Sequence, residues 1–107
     1  MSNVKELTTS DFTGSVVSHK GVAVVDFWAT WCGYCTQMAP VYAALSSQLG
    51  DQVFFGKVDS DAEPELVQQY EVEVLPTFLI FKDGRVVDRK IGAMPLETLK
   101  QAVLAHV

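Results

Sequence analysis

Apolar positions along this chain fall in short runs whose period changes from one run to the next. Val22-Ala23-Val24-Val25-Asp26-Phe27-Trp28-Ala29 is almost continuously apolar and rich in β-branched residues. That is the pattern of a strand covered on both faces at the centre of a sheet. From Cys32 to Leu49 the period lengthens. Met38, Val41, Tyr42, Leu45 and Leu49 recur at helical spacing, and Gly50 closes the helix. Pro40 lies inside it, where its missing amide should introduce a kink. Val53 to Asp59 reads as another strand, and Pro64 suits the first turn of a helix reaching about Tyr70. Pro76 opens a strand over Thr77–Lys82, Asp83-Gly84 marks a tight hairpin, and Arg85 to Ile91 returns antiparallel. Gly92 breaks that strand, and Pro95 starts a last helix with Leu96, Leu99, Val103 and Leu104 on one face. Near the start, Thr8-Thr9-Ser10-Asp11 offers N-cap side chains for a short helix from about Asp11 to Ser18, with Gly14 inside it.

Alternation of strand and helix predicts an α/β fold: one central sheet with helices on both faces, parallel strands joined by crossover helices, and an antiparallel edge from the hairpin. No repeat, linker or low-complexity segment divides the chain, so residues 1–107 are expected to form one domain. Its 49% apolar and 20% charged residues suffice for a buried core and argue against disorder. The net charge of -5 argues against a nucleic-acid partner, which would need clustered Lys and Arg. Lys82, Arg85, Arg89 and Lys90 are close in sequence, but Asp83 and Asp88 intervene, as on a solvated face. Met1-Ser2-Asn3-Val4-Lys5-Glu6 lacks the basic start and apolar run of a secretory leader. The longest apolar stretch carries Asp26 and is too short to span a bilayer, so no membrane association is expected. Two cysteines without an export signal point to a reducing compartment, the cytoplasm, where a Cys pair is catalytic or metal-binding more often than structural.

The candidate chemistry lies in Trp31-Cys32-Gly33-Tyr34-Cys35, directly after the buried strand and at the mouth of the long helix. Unpaired backbone N–H groups and the positive end of the helix dipole gather there, so a thiolate at Cys32 is stabilised. The thiolate is the nucleophile in disulfide exchange. Cys35, one turn on and deeper, can resolve the mixed disulfide, and the two-residue gap suits both a Cys32–Cys35 disulfide and a dithiol. Other readings of the pair remain. Zinc would want four ligands, and only His19 and His106 are available, far apart and without metal spacing. A structural disulfide closing so small a loop would stabilise little. Plain core filling would not place a Gly beside a Cys at a helix mouth. No metal is expected.

Over nearly its whole length the chain resembles thioredoxins. The resemblance rests on Asp26-Phe27-Trp28-Ala29, Trp31-Cys32-Gly33-x-Cys35, Ala39-Pro40, Lys57-Val58-Asp59, Leu75-Pro76-Thr77, Asp83-Gly84 and Gly92-Ala93, in that order and spacing. It implies a β-α-β-α-β-α-β-β-α fold around a mixed sheet and a general protein-disulfide reductase. No cofactor would be bound beyond the redox-active disulfide. Electrons would come from NADPH through a flavoprotein thioredoxin reductase and pass to proteins with transient disulfides; a monomer is expected. Asp26 becomes a buried carboxylate of raised pKa that shuttles a proton for Cys35, with Lys57 on the adjacent strand as its charge partner. Alone, Pro76 reads as a trans proline at a strand start. The resemblance implies instead a cis bond beside the Cys pair, exposing the backbone of Leu75 to an extended substrate. Trp31, Gly33, Tyr34, Leu75, Pro76, Ile91, Gly92 and Ala93 would form an apolar docking surface. Trp28 would wall the site from behind.

The chain departs from the common family motif at Tyr34, where Pro is usual, and at Thr36, where a basic residue is usual. Tyr34 supplies an N–H in the first helical turn, which should favour the thiolate and make the couple somewhat less reducing. Loss of a screened surface charge at Thr36 opposes this more weakly. Two other functions fit the same fold: a more oxidising disulfide oxidant or isomerase, and a binding subunit without turnover.

Overall fold

Residues 3–107 are described by this computed structural model; Met1 and Ser2, part of the N-terminal stretch read for a leader, lie outside them. The elements are β1 (Val4–Leu7), α1 (Thr9–Phe12), a π-helical turn (Thr13–Val17), β2 (Val22–Trp28), α2 (Gly33–Leu49), β3 (Val53–Asp59), α3 (Pro64–Gln69), β4 (Thr77–Lys82), β5 (Arg85–Ile91) and α4 (Leu96–Leu104). They form one five-stranded sheet in the order β1-β3-β2-β4-β5. β2 is central, as its apolar run predicts.

The sheet is mixed in a way the strand–helix alternation does not foresee. β1 and β2 run parallel to β3, but β4 runs antiparallel to β2 as well as to β5. Between β3 and β4 the chain stays at one end of the sheet, where the short α3 packs Leu66 into the core with Phe27 and Val58. β3 thus ends and β4 begins at the same end: Asp59 pairs with Trp28, and Thr77 with Phe27.

The strand period of two sorts the β2 side chains onto two cores. Val22 and Val24 join Met38, Tyr42 and Leu45 of α2 and Leu99 of α4 on one face. Ala23, Val25 and Phe27 join Phe12, Val16 and Leu66 on the other. Asp26 thus faces α2. The first helix starts earlier than its caps suggest: Thr8 is the N-cap, its amide bonded to Asp11 Oδ1 at 2.8 Å, and the helix widens into the π turn at Thr13. α2 continues through Pro40. Asp83 and Gly84 both have positive φ, 50° and 83°, the backbone of a type I′ hairpin. A Cβ on Gly84 would collide with the Val17 carbonyl. The hairpin is tied to the start of β2 by the Gly21 amide on Asp83 Oδ1 (2.7 Å) and the Asp83 amide on the Gly21 carbonyl (2.9 Å).

Candidate functional site

β2 delivers its C-terminal end directly to the first turn of α2, and that junction holds both cysteines. Cys32 is the N-cap of α2, with extended backbone (φ −90°, ψ 110°). Its sulfur accepts the amide of Cys35 at 3.2 Å. A cap position leaves first-turn amides aimed at its side chain, and here the side chain is a thiol rather than the usual hydroxyl or carboxylate. The N–H on the sulfur is that of Cys35, not Tyr34. Cys32 and Cys35 are joined by a disulfide, with Cα atoms 5.2 Å apart. Cys35 is the deeper residue, but only slightly: the two are 5% and 8% exposed, so Cys32 is less open in the disulfide form than a helix mouth suggests. Ala29, Trp28 and Leu75 pack around the pair. Thr36, at the position where a basic residue is usual, turns its hydroxyl back to donate to the Cys32 carbonyl at 3.3 Å.

Behind the disulfide lies a cavity of about 400 Å³ reached by Asp26, Trp28, Cys35, Thr36, Tyr42 and Lys57. Asp26 is buried, and its Oδ1 accepts no hydrogen bond. Burial pushes its carboxyl up to about 7, against the opposing pull of the Lys57 charge. Lys57 is the register partner of Asp26 on β3, and its ammonium sits over the Trp28 ring, 5.2 Å from the centroid. Tyr42 closes the inner wall; its hydroxyl lies 2.7 Å from the Gly56 carbonyl and 3.0 Å from that of Val24.

On the outer side, the Leu75–Pro76 peptide bond is cis. The Gly92 amide donates to the Pro76 carbonyl at 2.9 Å, and Gly92 holds φ at +92°. Among the described residues nothing bonds the amide or carbonyl of Leu75. Of the expected docking residues, Trp31, Gly33, Tyr34, Ile91 and Ala93 are exposed, while Leu75 and Gly92 are half-buried. Pro76 is buried: its carbonyl is held by the segment after β5, so it supports the surface more than it forms it. Two contributors escaped the sequence reading. Val74 is an exposed apolar residue beside Leu75. Asp61 accepts the Trp31 indole N–H at 2.8 Å and so orients that ring. Only the chain reversal after β3 places Asp61 there, and nothing local in the sequence marks it.

His19 lies against Phe54 and His106 against Asp88, so neither joins the cysteines. Among the described residues no cluster of three or more His, Cys, Asp or Glu stands ready for a metal. None of the described helices is long and apolar enough to cross a membrane.

The thioredoxin family model matches residues 3–105. Thioredoxin of Rhodospirillum rubrum is 41% identical over 104 residues, covering 97% of this chain and all of the relative. Thioredoxin 1 of Synechococcus elongatus is 39% identical over the full length of both. The crystal structure of Malassezia sympodialis thioredoxin superposes with a TM-score of 0.90 at 36% identity, covering 99% of this chain and 92% of that one. With a cysteine pair bonded at the mouth of α2, a chain matched over this length belongs to the thioredoxin family and is a protein-disulfide oxidoreductase.

Proposed function

We propose that Cys32 is the attacking thiol of a general disulfide reductase, that Cys35 resolves the mixed disulfide, and that Asp26 carries the proton. In the dithiol form the Cys32 thiolate attacks one sulfur of a substrate disulfide. The substrate S–S bond breaks, the leaving thiolate takes a proton from water, and a mixed disulfide forms. Cys35 then gives its proton to the Asp26 carboxylate and attacks the Cys32 sulfur. The second substrate sulfur leaves as a thiolate and takes a proton from water. Two electrons have passed to the substrate, and the Cys32–Cys35 disulfide remains. A reductase dithiol reverses the sequence, with Asp26 returning the proton to Cys35.

The observation that carries this reading is the Cys35 amide on the Cys32 sulfur, a donor that a thiolate at the cap uses better than a thiol does. Asp26 and Cys35 share a cavity, and a carboxyl displaced to about 7 can both accept and release a proton near neutral pH. Lys57 tunes it by opposing the burial shift. The unpaired backbone of Leu75 offers an edge to an extended substrate strand, with Trp31, Tyr34, Gly33, Ile91, Gly92 and Ala93 around it and Pro76 beneath. The chain would work as one domain and a monomer in the cytoplasm, fed from NADPH by a flavoprotein reductase.

Replacing Cys35→Ser tests the assignment. The reduced variant, mixed with a disulfide-bonded substrate protein, should accumulate a covalent adduct through Cys32 that dithiothreitol releases. Cys32→Ser should trap almost none; equal trapping by both variants would contradict the roles. Acceleration of insulin reduction by dithiothreitol separates the reductase from a binding subunit without turnover.

A further inference from the structure

We propose that the docking surface selects disulfides flanked by basic residues, a specificity that rests on the reductase reading above. The exposed apolar patch is bordered by carboxylates at both of its edges. At one edge Asp61 is bonded to Trp31. At the other, a depression beside Val74 and Ile91 is lined by Glu71 and Glu73, both exposed. Arg89 is the cation in that depression, and its guanidinium is committed to backbone. Nη2 donates to the Tyr70 carbonyl at 2.6 Å and Nη1 to the Glu71 carbonyl at 3.5 Å. With Thr36 beside the cysteines, no basic side chain of α2 offsets this border; the helix holds no Lys or Arg.

The other basic residues nearest the patch are engaged: the Lys57 ammonium lies over the Trp28 ring, and Lys90, beside Ile91, is 3.8 Å from Asp88. A cluster of three cations lies at the other end of the sheet. Lys82 and Arg85 pair across the β4–β5 hairpin, and Lys20 precedes Gly21, which is bonded to that hairpin. β4 separates this end from the docking end by about 17 Å. Asp61, Glu71 and Glu73 therefore give the patch around the redox disulfide a local negative border. Such a field orients an approaching partner and raises the encounter rate of a cationic segment over an anionic one. The side chains of an extended substrate paired along Leu75 would project over the patch toward these carboxylates. Lys or Arg a few residues from the substrate cysteine meets them favourably, and Asp or Glu is repelled.

The test uses three disulfide-bridged peptides of one core sequence, flanked by Arg, by Ser or by Glu. Each is reduced by the dithiol form of the protein, which is left as the disulfide. Every rate is divided by the rate of the same peptide with dithiothreitol, which removes the intrinsic effect of flanking charge on the leaving thiol. At about 0.01 M salt, where the Debye length is about 30 Å, the Arg peptide should be reduced at least about fivefold faster than the Glu peptide. At about 1 M salt, where it is about 3 Å, the ratio should approach one. Glu73→Gln should shrink the ratio, and Glu73→Lys should shrink it further or invert it. Because the ratio is read within one protein, a poorly folded variant lowers both rates without counterfeiting a preference. Equal normalised rates of the Arg and Glu peptides at low salt, or a preference untouched by salt and by Glu73→Lys, overturns the specificity. Failure to reduce any of the three, the Ser peptide included, overturns the reductase reading instead.

Discussion

Asp26 and Lys57 are register partners on β2 and β3, yet the Lys57 ammonium lies over the Trp28 ring and Asp26 Oδ1 is left without a hydrogen bond. The pair attracts without closing into a contact ion pair, so burial dominates and the carboxyl rises from 3.8 to about 7.

A raised carboxyl destabilises the fold above its unfolded pKa. The native state holds the proton up to about pH 7, whereas the unfolded chain releases it near pH 4. Stability contributed by this group is complete below pH 4 and is lost as pH rises toward 7. Asp26→Asn should therefore gain stability over the parent progressively between pH 4 and pH 7 and level off above. At about 1.4 kcal/mol per pKa unit the gain is on the order of 4 kcal/mol. Denaturant titration of the disulfide forms across that range checks it; a difference independent of pH would contradict the assignment of the pKa.

The same carboxyl sets a pH profile for turnover. As the base for Cys35, Asp26 works only when ionised, so the rate of mixed-disulfide resolution should rise through about pH 7. Asp26→Asn should lose that inflection and slow resolution by about 10²-fold or more, leaving the initial attack by Cys32 much less affected. Rapid-quench measurement of the adduct separates the two steps.

Tyr34 bears on redox poise through the helix end alone, because its amide does not reach the Cys32 sulfur. Tyr34→Pro removes one first-turn N–H. A helix-end interaction of about 0.3–1 kcal/mol converts to about 5–20 mV for a two-electron couple. The Pro variant should be more reducing by about that amount in a glutathione equilibrium. A variant equally or less reducing would remove the basis for a shifted potential and, with it, the support for an oxidant role.

The elements legible in the sequence were those written locally. β2 shows as an unbroken apolar run, α2 as a helical period with a Cys-x-x-Cys mouth, and the hairpin as Asp83-Gly84. β1 showed only through the family resemblance. Its four residues include Lys5 and Glu6 and bury little beyond Leu7, and what makes them a strand is pairing with β3. The direction of β4 depends on α3 packing at the end of the sheet where β3 finishes, a tertiary contact that no residue type announces. At the site, the cysteines were readable from their Cys-x-x-Cys spacing at a helix mouth, whereas the roles of Asp26 and Lys57 came only through the family resemblance. Asp61 joins Trp31 from thirty residues away, and Val74 and the carboxylate border become visible only once the chain has folded around the cysteines.

Tyr42 offers a control on the inner wall of the cavity. Its buried hydroxyl serves two carbonyls, Gly56 and Val24, on neighbouring strands. Tyr42→Phe removes the one proton shared between them and should cost about 0.5–1.5 kcal/mol of stability, measured by denaturant unfolding. An unchanged midpoint would show that the hydroxyl contributes nothing there.

Ionisation of the sulfur at the head of α2 underlies every step from attack to resolution. Its most direct measurement is the rate of iodoacetamide alkylation of the reduced protein as a function of pH, with peptide mapping of the modified residue. The expected result is modification of Cys32 first, with an apparent pKa below the free-cysteine value of about 8.5. Modification of Cys35 first, or a Cys32 that titrates like free cysteine, would contradict it.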